Sequence, residues 1–275
     1  MKQKTIFSLS GMGTIFTSKS IKSLILKAII KKVYQFLFNG VKSKVIVQNN
    51  DDYNLLKNIL KIKTENIILI KGSGVNPSDF IYLENDTISD IPIILLPARL
   101  IKEKGIFEIS QASNLLNKKN IPHKIYIAGD IDKGNPSALL ESEIKKIEKS
   151  SPSVKFIGYI NNMKEQYKIC TIVCLPSYRE GLPKALLEAA ASGRAIITCN
   201  VPGCKEVVEH NKNGILVPPQ SSVELAKALK LLIENKELRN TLRKNMYQKF
   251  LNEFTEEKVV NDNIHLYDSF YENNI

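Results

Sequence analysis

The sequence predicts an α/β fold built on parallel sheets. Short β-branched runs alternate with helix-length amphipathic stretches from end to end, the pattern of strands joined by crossover helices. The second half repeats that alternation six times without a break, and the composition, 43% hydrophobic and 24% charged, matches chains that bury a sizeable core. In order, strands are expected at 5–9, 44–47 and 67–70, with helices at about 19–38 and 51–61. A polar stretch, NPSDFIYLENDTISD from Asn76, reads as a linker. A fresh series follows, with strands at 93–96, 124–128, 154–157, 172–175, 195–198 and 214–217. Helices are expected between them at about 105–119, 137–149, 162–169, 183–192 and 203–209, and then near 222–234, 236–251 and 256–272. Six strands in βα alternation make one complete Rossmann-like domain. The expected organisation is a partial first lobe at 1–75, a linker at 76–91, a complete domain at 92–254 and a C-terminal helix at 255–275.

Charge is unevenly spread. The chain of 275 residues carries 39 Lys and Arg against 28 Asp and Glu, a formal +11. Residues 1–60 hold ten lysines and only Asp51 and Asp52 as acids, so +8 of the excess lies there. At its centre, 18–38 (SKSIKSLILKAIIKKVYQFLF) sets Lys19, Lys22, Lys27, Lys31 and Lys32 among apolar residues. Such a helix can lie on a membrane surface with its lysines on anionic headgroups, or pack on a sheet with a solvated basic edge. Nucleic acid is not the expected partner, because no recognition module surrounds these lysines and arginine is absent here. The N-terminus lacks a signal-peptide h-region, and no stretch reaches the roughly 18 apolar residues of a membrane span. Cys170, Cys174, Cys199 and Cys204 form no framework, which fits reduced thiols in the cytoplasm. The scattered His123, His210 and His265 suggest no metal cage.

In open α/β sheets ligands bind beyond the carboxyl ends of the strands, and three segments there carry chemistry. In Arg99-Leu-Ile-Lys-Glu-Lys104-Gly105, Arg99 leaves a strand and Lys104 opens the next helix, so two cations and helix N–H groups can hold a diphosphate. In PSYREGLPKALLEAAA, Glu180 precedes a helix that Pro183 begins. Gly181 lets backbone approach a ligand, and Glu188 lies one turn from Lys184 on the same face. A carboxylate can grip a vicinal diol, as acidic residues grip ribose in dinucleotide sites, although a Glu near a helix N-terminus also favours the dipole on its own. The third, Asn200-Val-Pro-Gly203-Cys204-Lys205-Glu206, is a turn opening a short helix. Asp130-Ile-Asp132 matches a D-x-D metal pattern, one short enough to arise by chance, and metal binding is not expected of it.

The Glu180-x7-Glu188 pair, PARLIKEKG, VPGCKEVVEHNKNGILVPP and AGDIDKGNP together resemble family-4 retaining glycosyltransferases of the GT-B fold, and among them bacterial enzymes that extend undecaprenyl-diphosphate-linked sugars. The likeness spans essentially the whole chain and is strongest from Pro92 to Pro219. It implies that Arg99 and Lys104 hold the donor diphosphate, Glu180 touches the donor sugar, and Gly181, Leu182 and Pro183 present backbone to sugar and phosphate. Glu188 would bind the ribose, and the backbone of Ile160 would meet the base. It further implies a UDP-sugar donor carrying a hexose or N-acetylhexosamine, a lipid-linked saccharide acceptor, no resident cofactor or metal, and a place on the inner face of the cytoplasmic membrane. The opening lobe matches only the later part of the family's N-terminal domain. A strand edge and apolar faces are therefore expected to be uncovered, and the alternatives are a non-catalytic nucleotide-sugar-binding remnant or half of a split enzyme completed by a separate N-terminal polypeptide.

Overall fold

A computed structural model describes residues 3–12, 21–82 and 91–271. The start of the helix expected from 19, residues 83–90 of the expected linker and the last four residues lie outside the described segments. Two parallel sheets form. The first lobe holds β1 (Thr5–Leu9), β2 (Ser43–Val47) and β3 (Ile67–Leu69) side by side in that order, with α1 (Ile21–Phe38) and α2 (Asn50–Asn54) between them. Among the described residues β1 pairs on one side only. Val45, Val47, Phe38, Leu56 and Leu60 make its core. The helix expected at 51–61 is two pieces, because α2 continues as a π-helical turn over Leu55–Ile59.

The second lobe is a six-stranded sheet in the order β6-β5-β4-β7-β8-β9, from β4 (Ile93–Pro97), β5 (Lys124–Ala128), β6 (Val154–Gly158), β7 (Ile172–Leu175), β8 (Ala195–Cys199) and β9 (Ile215–Val217). The central strands are buried on both faces, from Ile94 to Leu96 and from Ile172 to Leu175. Hence they read as unbroken apolar runs rather than alternating ones. The helices are α3 (Ile106–Asn117), α4 (Glu141–Ser150), α5 (Lys164–Ile169), α6 (Lys184–Ala191), α7 (Cys204–Val207), α8 (Ser222–Glu234) and α9 (Lys236–Glu253). Of these, α3 packs on α8 and α6 on α9. Right-handed crossovers that leave β4 and β7 in opposite directions place their helices on opposite faces.

Several helices start later than periodicity suggests. Residues 135–138 form a turn that ends in a bridge between Ile101 and Ala138, which delays α4 to Glu141. Ahead of α3 the chain makes a single 3₁₀ turn over Lys102–Lys104, so Lys104 sits before the helix rather than opening it. The stretch expected to link the lobes is tied down where it is described: Phe80 meets Tyr167 edge-on at 5.9 Å and Tyr82 stacks on Tyr247 at 4.0 Å. Last, α10 (Glu256–Tyr271) returns to the first lobe, where Val259 and Leu266 are buried with Ile46 and Ile70.

Gly105 fixes where α3 meets β7. Its φ is +70°, and a Cβ there would lie 2.3 Å from the Pro176 carbonyl oxygen. The left-handed backbone and the backbone clash act together, so Gly105→Ala is expected to lose about 2 kcal/mol or more of stability. Gly134→Ala, at φ +92° with nothing near its Cβ, meets only the backbone penalty of about 1 kcal/mol. Urea unfolding midpoints of the two variants measure the difference.

Candidate active site

Strand order reverses between β4 and β7, and there the connections leave in opposite directions and open a crevice. A cleft of about 770 Å³ lies at those strand ends. Arg99, Lys104 and Glu180 line it from the second lobe, and Ser10 and Gly11, just past the end of β1, line it from the first.

Each cation in the cleft faces a carboxylate. Lys104 Nζ donates to Glu180 Oε1, and both side chains are largely shielded from solvent. More exposed, Arg99 donates from Nη1 to Asp132 Oδ2 at 2.6 Å. Asn135 Nδ2 also donates to that oxygen, at 3.0 Å. The second acid of the D-x-D pattern is thus a partner of Arg99. Backbone bonds hold the two loops in register: the Tyr178 N–H donates to the Glu103 carbonyl at 2.9 Å, and the Lys102 N–H to the Ser137 carbonyl at 2.9 Å. Two side chains add to this, Ser137 Oγ donating to Glu103 and the Tyr178 hydroxyl to Glu108 at 2.6 and 2.7 Å. Burial, reinforced by the Glu108 carboxylate, pushes the Tyr178 phenol well above its usual range and keeps it a donor. If either Lys104 or Glu180 is removed, the other charge is stranded in a poorly hydrated place.

Glu188 faces a second cavity, of about 290 Å³, that it lines with Lys184, Gly74, Asn161 and Lys164. The Tyr167 hydroxyl donates to its Oε2 at 2.9 Å. Burial lifts the Glu188 carboxyl above the ordinary carboxylate range, against the Tyr167 hydrogen bond and the nearby Lys184 ammonium, which lower it. Tyr167 itself, buried and next to that carboxylate, is raised well above the usual phenol range and stays protonated. The two carboxylates of the E-x7-E pair therefore line separate spaces, the cleft and this cavity. Ile160 packs against the core of the second lobe, while the next three residues, Asn161 to Met163, line the cavity.

The residues between the carboxylates lie at the seam of the lobes. A Cβ on Gly181 would fall 1.7 Å from the Ser10 carbonyl oxygen, and Leu182 presses on Gly72. Pro183 is the residue directly before α6 rather than inside its first turn. The structure adds residues that the motifs did not single out: Tyr167, which orients Glu188, and Asn49, Asp52 and Arg179 beside Gly181. The strand-end rule would have found Asn49 and Ser10 had it been applied to β1 and β2 as well.

Comparison with known proteins places this geometry. A family profile described as "Glycosyl transferases group 1" matches residues 83–249. The chain is 28% identical over 96% of its length, and 70% of the relative's, to the N,N'-diacetylbacillosaminyl-diphospho-undecaprenol alpha-1,3-N-acetylgalactosaminyltransferase of Campylobacter jejuni. It is 30% identical to an uncharacterized glycosyltransferase of Haemophilus influenzae, covering 85% of this chain and 68% of that one. Among solved structures it is similar to Anabaena HepE in complex with UDP, with a TM-score of 0.81, 18% identity, and 96% of this chain and 72% of that one covered. Two parallel sheets with a cleft between them, and a profile match over more than half of its length, show that the chain belongs to the group 1 glycosyl transferases and has their GT-B fold.

Proposed function

We propose that this chain is a retaining, family-4 enzyme that moves a hexose or N-acetylhexosamine from a UDP-sugar to an undecaprenyl-diphosphate-linked saccharide in surface polysaccharide or glycan assembly. The observation that carries the reading is the pairing of Lys104 with Glu180 in a cleft at the switch point, with Arg99 beside it and Glu188 on α6 facing the second cavity. The Campylobacter relative acts on an undecaprenol-linked substrate by name, and HepE binds UDP.

In this reading the donor diphosphate displaces carboxylates from two cations. Arg99 leaves Asp132 and Lys104 leaves Glu180, and both turn to the phosphate oxygens. Cleaving the sugar–phosphate bond builds negative charge on the diphosphate and positive charge at the anomeric carbon. Preorganised cations at the first and the Glu180 carboxylate at the second lower that barrier without having to reorganise water. The two side-chain cations supply the neutralisation here, so no resident metal is invoked, and no covalent intermediate is assigned. Glu188, steadied by Tyr167, accepts from the ribose hydroxyls.

The acceptor's lipid anchor gives α1 a role. Leu26, Ile29, Val33 and Phe36 form an exposed apolar stripe along it, Phe36 being 79% exposed, and Val41 beyond its end is 88% exposed. Lys32 is exposed on the same helix. Phe38 and Tyr34 on the opposite side pack into the first lobe, so one helix both packs and presents an apolar face, with Lys32 exposed beside it. Among the described residues no helix is long and apolar enough to cross a membrane, and the proposed contact is peripheral, on the inner face of the cytoplasmic membrane.

Three outcomes test this reading. Calorimetric titration with UDP should show binding that Glu188→Ala weakens by about 10- to 100-fold, the worth of hydrogen bonds to a charged group. Because the ribose hydroxyls favour the ionised carboxylate and burial raises its pKa, affinity should fall as pH drops toward the carboxylate range, and Glu188→Gln should keep only the smaller fall that protonation of UDP's own terminal phosphate causes. In the second test, Asp132→Asn frees Arg99 from a competing carboxylate and should tighten UDP binding about threefold, as for a partly exposed pair worth under ~1 kcal/mol. Unchanged or weaker binding would contradict the exchange. Third, in flotation assays the chain should bind vesicles containing anionic lipid. Lys32→Glu should weaken this about fivefold, at about 1 kcal/mol per lysine, and Phe36→Glu should weaken it further.

A further inference from the structure

Three residues of the first lobe, within one turn of chain, reach across the cleft to the loops around Glu180. Asn49 caps α2 by accepting the Asp52 N–H at Oδ1, 2.8 Å away, and with its Nδ2 donates to the Gly181 carbonyl at 3.0 Å. The same Nδ2 donates to Asp52 Oδ2 at 3.0 Å. Asp52, only 1% exposed, accepts from Arg179 Nη2 at Oδ1, 2.8 Å away. Asn50 donates to both oxygens of the largely buried Glu206, from its N–H and from Nδ2, at 3.0 Å each. The loops held in this way flank Glu180 directly. Arg179 and Gly181 are its neighbours in sequence, and the Glu180 N–H points at the Pro202 carbonyl in the turn that leads to Glu206. A Cβ on Gly203 would lie 2.3 Å from the Gly181 carbonyl oxygen, so the two loops touch each other.

We propose that Asn49, Asn50 and Asp52 form a clamp that sets the position of the Glu180 carboxylate, so that the first lobe acts on the donor sugar through backbone it does not itself contain. The inference rests on the donor-site reading above and adds to it the residues that aim Glu180. None of the three touches the donor; they are positioning residues. Arg99 and Glu188, which would carry the nucleotide, are anchored within the second lobe by contacts the clamp does not share, and Lys104, although its ammonium pairs with Glu180, has its backbone held by the Ile101 carbonyl. Loosening the clamp should therefore degrade recognition of the sugar and spare that of the nucleotide. A bond that a buried Asp makes to a guanidinium ties the loop down strongly, and removing one partner alone would leave the other charge without compensation.

The test uses the full chain, titrated with UDP and with UDP-N-acetylgalactosamine. Asp52→Asn, and the double variant Asp52→Asn/Arg179→Gln that removes both charges, should bind UDP within about twofold of the unaltered chain. The same variants should lose about tenfold for the UDP-sugar, the worth of roughly one charge-assisted hydrogen bond. Hydrogen exchange across 177–183 should rise in both, with 99–104 unchanged. If Asp52→Asn does not fold, the double variant decides. Equal losses for both ligands, or none for either, would overturn the clamp. If the unaltered chain binds no UDP, the donor-site reading fails. The clamp then stands or falls on exchange alone, overturned by unchanged protection across 177–183.

Discussion

The reversal of strand order between β4 and β7 is the constraint on which the site depends. Parallel strands need crossovers, crossovers have one hand, and where the order reverses they must diverge. That divergence brings together the Arg99 turn, the Glu180 loop and the N-terminus of α6, which are separated by up to 85 residues of chain. The buried apolar strands behind them hold these loops on a rigid base. Gly105 shows how tightly the arrangement is packed, since its lack of a side chain lets the start of α3 rest on the backbone that leaves β7.

Charge in the cleft is matched throughout. Both cations at the strand ends have carboxylate partners within the chain, so the site is neither an open anion trap nor a dry void. A ligand entering it exchanges partners instead of filling an unmet demand. For the proposed donor the net gain would be the difference between two sets of hydrogen bonds, and the geometry of its phosphates would count for more than their charge alone. Glu188 differs in kind. Burial raises it and one neutral donor steadies it, which suits the hydroxyl-bearing ligand proposed for it.

The fold class and most strands were legible in the sequence because parallel strands covered on both faces are written as unbroken β-branched runs. Helix starts were less legible, as at α4 and α3, where a turn bonded to distant residues replaces the first helical turn. The residues of the cleft were legible as types at strand ends, but their partners were not. Nothing local links Asp132 to Arg99 or Tyr167 to Glu188, since each pair is made by the sheet bringing distant loops together. The run NNDD after β2 was visible only as a helix start, and its contacts lie more than a hundred residues away. The helix 18–38 was read two ways, and where it is described it has both a packed side and an exposed apolar one.

Asp51 and Asp52 are the only acids in the first sixty residues, and both are turned toward the other lobe, Asp52 to Arg179 and Asp51 to Lys205. Both acids of the first sixty residues thus face the seam, while exposed lysines such as Lys32 lie elsewhere on the lobe. The molecule also divides its charge unevenly along the chain, +8 of its +11 lying in residues 1–60. In any field from a charged surface it experiences a torque as well as a pull, and that torque turns the first lobe toward negative charge before any specific contact forms. At such a surface, orientation would precede recognition.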